Sequence, residues 1–300
     1  ILYLIYVVLT VICVCFLLLG GMPLFDSLCT AFGTAGTGGF GVKNNSMAGY
    51  SPYLQSVCTV FMALFGVNFS IYFLILLGKF RQVLRSEELR TYLAIMLGAI
   101  ALISINIRSM YPSVRAALHD AAFAVSSIMT TTGFATADFD QWPQFSRSIL
   151  VVLMVVGACA GSTGGGIKCA RVVILYKGLN ARIRQILHPR SVNLIRVEGH
   201  TISDEVAQGA STYMTAYCAI AVLSFLILSL DNLSMETNLT AVLACLNNIG
   251  PGLDLVGPTR NYAMYSDLSK VVLMLDMLLG RLEIFPLLVM LSPKTWRKAG

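Results

Sequence analysis

The sequence predicts an all-α integral membrane protein, built from tandem units of helix, short pore helix and helix around a central ion pore. Three observations predict it. The 300 residues are 56% hydrophobic and only 12% charged, whereas soluble domains carry roughly 25% charged residues. Six apolar stretches, at 1–20, 53–78, 91–107, 146–177, 208–230 and 268–291, are about long enough for a hydrocarbon core of ~30 Å, with 91–107 at the short limit. Three glycine-containing turns recur about a hundred residues apart, each between two apolar stretches. They are Ala35-Gly36-Thr37-Gly38-Gly39-Phe40-Gly41, Thr130-Thr131-Thr132-Gly133-Phe134 and Asn247-Asn248-Ile249-Gly250-Pro251-Gly252, aligned on Gly38, Gly133 and Gly250.

The expected units are 1–80, 81–200 and 201–300. In the first, Pro23–Thr34 is a short helix with Pro23 at the first helical position, where its fixed φ fits. Its length, about 18 Å by helical rise, is too short to cross a bilayer, so the segment enters and returns. Pro112–Thr130 has the same role in the second unit. In the third, Ser234 caps a helix running through Glu236 to about Leu246. Each short helix aims the partial negative charge of its C-terminus at a glycine turn, which favours a cation there. Glycine permits the positive φ that turns carbonyls inward, and backbone carbonyls can replace an ion's hydration shell. One such turn is an ordinary outer loop; three in register are a pore.

Charge gives orientation. Of the 21 Lys and Arg, four lie in 79–90, seven in 168–200 and three in the tail at Lys294, Arg297 and Lys298. The glycine turns share their side with Asp26, Asp120, Asp138, Asp140, Asp231, Glu236, Asp254 and Asp267. The basic loops are therefore expected in the cytoplasm and the turns outside. A bias that follows sidedness argues against nucleic-acid binding. The eight cysteines (13, 15, 29, 58, 159, 169, 218 and 245) sit mostly in apolar stretches without metal-ligand spacing, and His119, His188 and His200 are isolated; neither metal site nor disulfide is expected. The chain opens inside an apolar stretch with no initiator Met and no basic leader, so it is expected to be a fragment of a longer protein.

The second span of the second unit is interrupted at Gly157-Ala158-Cys159-Ala160-Gly161-Ser162-Thr163-Gly164-Gly165-Gly166-Ile167-Lys168. Glycines each costing about 1 kcal/mol relative to Ala do not hold a straight helix. Unwound backbone at that depth must face protein or water, which suits a mobile constriction at 157–166. A phosphate-binding loop needs Lys-Ser/Thr directly after glycine; Gly166-Ile167-Lys168-Cys169 departs from that order. Close packing through small residues accounts for part of the stretch. Asp276, Arg281 and Glu283 lie in the last apolar segment, where charges face a pathway or a partner. Arg281 is expected to meet carbonyls of the glycine loop, as a barrier or as a tether; a structural ion pair is the alternative. Asp276 and Glu283, ~10 Å apart along a helix, are too distant to act together on one proton, which weighs against a membrane-embedded enzyme. The three repeats weigh against both that enzyme and a non-conducting scaffold.

The glycine loop, the Asn247–Gly252 turn, Thr130–Phe134, Leu279-Gly280-Arg281-Leu282-Glu283 and the closing Ser292-Pro293…Trp296-Arg297 resemble the bacterial Trk/Ktr/HKT superfamily of potassium transporters, most closely its TrkH members. The resemblance covers essentially the whole chain. It implies four such units around one pore, of which these are the second, third and fourth. It implies that Gly38, Gly133 and Gly250 are filter glycines, preceded by Thr37, Thr132 and Ile249 and flanked by Gly36, Thr131 and Asn248. It implies a gate of Gly157, Gly161, Ser162, Thr163, Gly164, Gly165, Gly166 and Lys168, faced by Arg281. It further implies K⁺ as substrate, no covalent cofactor, and a multi-pass homodimer in the bacterial inner membrane. It implies that the homodimer docks on a cytosolic nucleotide-binding regulatory subunit of TrkA type near Lys177, Arg182, Arg184 and Arg190. A sodium-coupled or sodium-permeable relative is the alternative within the superfamily; glycine at all three positions favours K⁺. Asp254, where relatives tend to have glycine, is expected to alter the outer field, and Pro286 to kink the last helix.

Overall fold

The computed structural model describes residues 1–188, 195–282 and 284–291. Glu283, Arg190, the basic tail and the closing Ser292-Pro293…Trp296-Arg297 lie outside them.

Three of the six expected spans are single long apolar helices. These are α1 (Leu2–Leu19), α6 (Glu87–Ile107) and α10 (Asp204–Leu228). In α1 the buried residues Thr10, Cys13 and Leu17 form one stripe at the spacing of a helix face, and its other faces are apolar and exposed. The sixth helix starts four residues before the expected 91. Ser86 caps it by accepting from the Leu89 N–H at 3.3 Å, and Glu87 and Glu88 occupy the first turn, where acidic residues complement the helix dipole.

The other three expected spans are broken. The 53–78 stretch is α3 (Pro52–Phe65) and α4 (Phe69–Leu76), bent by 89°. The bend has two causes: the Asn68 side chain caps α4 by accepting from Ser70 N at 2.9 Å, and Phe69 N donates to the carbonyl of Gly161 at 3.2 Å. A short helix α5 (Phe80–Arg85) precedes α6. The 146–177 stretch is α8 (Gln144–Val155) and α9 (Cys169–Leu187), separated by the glycine loop. The last stretch is α12 (Asp267–Leu282) and α13 (Ile284–Leu291), and Pro286 lies within α13.

The short helices are α2 (Leu24–Ala35), α7 (Val114–Met129) and α11 (Met235–Leu246). Pro23, expected as the first helical residue, stands instead at the cap of α2 with extended backbone (ψ 147°), one position before Leu24. Ser113, not Pro112, caps α7 by accepting from Ala116 N. Ser234 caps α11 as expected. All three are deeply buried: Ala31, Ala35, Phe123, Met129, Ala241 and Ala244 are fully enclosed. Three of their buried hydroxyls are satisfied one turn back, Thr34 on Thr30 O, Thr130, at the C-cap of α7, on Ser126 O and Thr240 on Glu236 O, at 2.7–2.8 Å, as buried polar groups require.

The basic segments meet on one side. A hairpin of β1 (Arg196–Val197) and β2 (His200–Thr201) turns through Glu198 and Gly199, both at positive φ, the conformation of a tight two-residue turn. It sits on the start of α6: Glu198 accepts from Ser86 Oγ at 2.9 Å and Glu88 N at 3.0 Å, while Lys177 of α9 pairs with Glu87 and donates to Arg196 O.

Candidate ion-binding turns and the glycine loop

The chain reverses through the same backbone three times. Left-handed conformation occurs at two positions separated by one residue: Thr37 (φ 51°) and Gly39 (64°), Thr131 (58°) and Gly133 (86°), Asn248 (57°) and Gly250 (106°). The middle residue donates five residues back in each case, Gly38 to Gly33, Thr132 to Ser127 and Ile249 to Ala244, all at 2.8 Å. The register of the first turn is therefore corrected by one. Gly39, not Gly38, corresponds to Gly133 and Gly250; Thr37 corresponds to Thr131 and Asn248, and Gly36 to Thr130 and Asn247. The physical reason is space. A Cβ on Gly39 would lie 1.8 Å from the Thr132 carbonyl oxygen, and one on Gly133 would lie 2.0 Å from that of Ile249, whereas one on Gly38 meets nothing nearer than 3.7 Å. The first two turns thus press their glycines against a carbonyl of the next turn, while a Cβ on Gly250 of the third would meet nothing within 4 Å. The repeated Gly-Phe of Gly39-Phe40 and Gly133-Phe134 was the available signal.

The C-terminal residues of α2, α7 and α11 lead directly into these turns, with cap positions at Gly36, Thr130 and Asn247. Three partial negative ends converge there, which favours a cation. Side chains fix the backbone from behind. Ser127 Oγ donates to Phe134 O at 2.6 Å, Asn247 Nδ2 to the Tyr217 hydroxyl at 2.7 Å, Asn248 Nδ2 to Met277 O at 3.0 Å, and Tyr262 Oη to Gly250 O at 2.6 Å. Between the first and third turns a cleft of about 630 Å³ is lined by Thr37, Gly38, Ile249, Gly250, Leu273 and Arg281.

The glycine loop lies against all three turns. Its two ends are pinned together: Gly157 N donates to Ile167 O at 2.9 Å, Ile167 N to Val155 O at 3.3 Å, and Cys169 N to Ala158 O at 3.0 Å. Glu88, buried on α6, accepts from Ala160 N at 2.6 Å and Ala170 N at 3.2 Å, one carboxylate oxygen spanning both ends. Gly165 N donates to Thr131 Oγ1 at 2.6 Å, and a Cβ on Gly165 would lie 2.5 Å from Asn247 O. Gly161 and Gly166 have φ of 67° and 69°, and a Cβ on Gly157 would lie 2.3 Å from Gly165 O. The ammonium of Lys168 donates to Gly164 O. A cavity of about 390 Å³ on the other side of the loop is lined by Ser162, Gly164, Lys168, Arg171, Tyr213 and Arg281.

Arg281 joins loop and first turn. Its guanidinium donates to Thr163 O at 3.3 Å and Gly36 O at 3.2 Å. The Thr37 hydroxyl lies 2.7 Å and 3.0 Å from the same two oxygens. A fork of donors on two carbonyls is the geometry a guanidinium supplies and an ammonium does not. Asp276 is in a different place: it is buried and accepts from Ser224 Oγ at 2.8 Å between α10 and α12. Asp254 is not free to alter an outer field alone. Its carboxylate accepts from the hydroxyls of Ser234 and Thr237, at 2.7 Å from the latter, and its φ of 55° is one that glycine adopts readily. Sequence reasoning passed over Gly39, Asn68, Glu88 and Tyr262. Only Gly39 had a local signal; the other three act on backbone distant in the chain.

Among proteins of known kind, residues 1–298 match the TrkH family, described as cation transport protein. The Trk system potassium uptake protein TrkH of Salmonella typhimurium is 33% identical over 99% of this chain and 62% of its own length. That of Escherichia coli is 32% identical over the same shares. The crystal structure of the potassium transporter TrkH from Vibrio parahaemolyticus superimposes with a TM-score of 0.90 at 33% identity, covering 99% of this chain and 64% of that one. The chain thus spans about 62% of the length of the curated relatives it matches. Membrane-crossing helices, the thrice-repeated turn and a family match along nearly every residue agree: the chain belongs to the TrkH family of cation transport proteins.

Proposed function

We propose that this chain supplies the larger part of a K⁺ uptake pathway in a bacterial cytoplasmic membrane. One observation carries the reading: three helix C-termini deliver three turns with the same alternation of left-handed residues to one place, Gly39 and Gly133 each packed on the next turn's carbonyl. A cation entering from outside loses water against these carbonyls. The filter comprises Thr37, Gly38 and Gly39, Thr131, Thr132 and Gly133, and Asn248, Ile249 and Gly250. The loop 157–166, with Lys168 and Arg281, is the gate: a guanidinium held on Gly36 O and Thr163 O is a positive charge in the path of another. Glycine at 39, 133 and 250 supports K⁺ over Na⁺, since no side chain intrudes on the ring.

No covalent chemistry is required, and the protein is not an enzyme in this reading. Asp276, the carboxylate an enzyme would use, is 2% exposed. The subunit works as a homodimer on a cytosolic nucleotide-binding regulatory subunit, and nucleotide acts only through that partner. The joined basic face around Lys177, Arg182 and Arg184 supports this docking side.

The test is K⁺ uptake at low external K⁺ by the natural full-length chain in a bacterium lacking its own potassium transport, beside a Gly133→Ser variant. Rescue by the wild type with lost K⁺ preference in the variant supports both pathway and filter. Absence of rescue, with membrane expression and the regulatory partner confirmed, defeats the pathway. Unchanged selectivity in a rescuing variant defeats the filter assignment.

A further inference from the structure

Each glycine turn leaves through a limb that returns across its own short helix, and in all three units a carboxylate and a hydroxyl tie the two together. In the first, Tyr50 Oη on the limb donates to Asp26 of α2 at 2.8 Å. In the second, Thr136 Oγ1 on the limb lies 3.3 Å from Asp120 of α7. In the third the polarity is reversed: the carboxylate, Asp254, is on the limb, and the hydroxyls, Ser234 and Thr237, are on and before α11. The reversed tie is also the most elaborate. Both hydroxyls donate to one oxygen, Oδ2, placing negative charge at the N-terminus of α11, where the helix dipole stabilises it. The Asp254 N–H donates to Asp140 Oδ1 of the second unit at 2.9 Å. Asp140 in turn pairs with Arg147 of α8 at 3.2 Å, and Arg147 also pairs with Glu236 of α11. Asp254 therefore fastens the third turn both to its own helix and to the neighbouring unit.

We propose that Asp254 is the positioning residue of the third turn, fixing the distance between its carbonyls and those of the second, and so setting how sharply the pore discriminates among monovalent cations. The inference rests on the K⁺ pathway proposed above. The carboxylate acts through Thr237 and Ser234, while the contact with Asp140 is made by the backbone N–H, which both Asp254 variants retain. The residue's left-handed backbone makes glycine the clean deletion, since Asp254→Gly removes the tie without backbone strain. Asp254→Asn keeps an acceptor oxygen for both hydroxyls while losing the charge.

The Asp254→Asn variant, not titration, separates the tie from a bulk electrostatic effect. The charged groups around Asp254 are Asp140, Arg147, Glu236 and Arg260. Hydrogen bonds from Ser234 and Thr237 hold its carboxyl below the usual carboxylate range. A lowered value means the tie is intact above the ordinary Asp pKa of about 3.9 and is lost only as pH falls through the folded value beneath it. Discrimination carried by Asp254 is therefore flat between about pH 5 and about pH 8.

The experiment measures rubidium uptake and its competition by Na⁺ for the natural full-length chain reconstituted in liposomes. Asp254→Gly is expected to admit Na⁺ relative to Rb⁺ about fivefold more readily, equivalent to ~1 kcal/mol. Asp254→Asn stays close to wild type, with the same flat pH profile. Thr237→Val reproduces the glycine variant and Thr237→Ser does not, which keeps the test open should Asp254→Gly fail to fold. Unchanged discrimination in both Asp254→Gly and Thr237→Val overturns the inference. Equal loss in Asp254→Gly and Asp254→Asn overturns it too, because charge rather than position would then be at work. A wild type that carries neither Rb⁺ nor K⁺ defeats the K⁺ pathway itself and is distinguished by its blank in every arm.

Discussion

One carbonyl oxygen decides which glycine matters in the first turn. Thr132 O stands 1.8 Å from where a Cβ on Gly39 would be, while Gly38 has room and ordinary backbone. Gly38→Ala is therefore expected to keep rubidium uptake within about twofold, and Gly39→Ala to lose at least about tenfold, ~1.4 kcal/mol of the transport barrier or of turn geometry. Parallel uptake and surface-expression assays check both, and equal loss in the two variants would return the first turn to the uncorrected register. The sequence made a glycine turn legible here because Gly is the residue for positive φ, but two adjacent glycines are interchangeable to composition. Only the neighbouring turn, a hundred residues away, distinguishes them. Thr131 and Asn248 were still harder to see, since both hold positive φ without being glycine.

At the scale of elements, the glycine loop was legible because its residues cannot remain helical, and the short helices because their length and caps are local. The bend between α3 and α4 was not. Its stretch reads as one apolar span, and the bend is fixed by a cap at Asn68 and a carbonyl at Gly161 on another element. The same holds for Glu88, which reads as an acidic first-turn residue and is used to clasp both ends of the loop. The element most open to test is the contact of α12 with the loop. Arg281→Ala removes a cation and two hydrogen bonds from Thr163 O and Gly36 O, and resting cation flux is expected to rise by about threefold or more, at least ~0.7 kcal/mol. Arg281→Lys is expected to fall between, because a point charge keeps the repulsion and loses the fork. Flux assays without stimulus measure both. Lower flux in Arg281→Ala with normal expression would make Arg281 a tether and not a barrier.

At the scale of the molecule, the Glu198 hairpin joins two basic segments through Ser86, Glu87 and Lys177. The charge pattern predicts that these face the cytoplasm and the glycine turns with their acidic limbs face outward, because sidedness depends on where Lys and Arg fall and not on tertiary contacts. In a cysteine-free background, Lys43→Cys is expected to react with an impermeant maleimide added outside intact cells, and Arg85→Cys only after permeabilisation; the opposite pattern would invert the topology. Arg281 and Thr37 carry a last consequence for the whole. Arg281 donates to Gly36 O and Thr163 O, and the Thr37 hydroxyl lies within hydrogen-bond distance of the same pair, one oxygen on the first turn and one on the loop. Occupancy and opening in the proposed pore are then linked quantities. Whatever factor loop release contributes to cation affinity at the first turn, a bound cation must return to loop release, by thermodynamic reciprocity. External K⁺ would in that case be an activator of its own entry as well as its cargo.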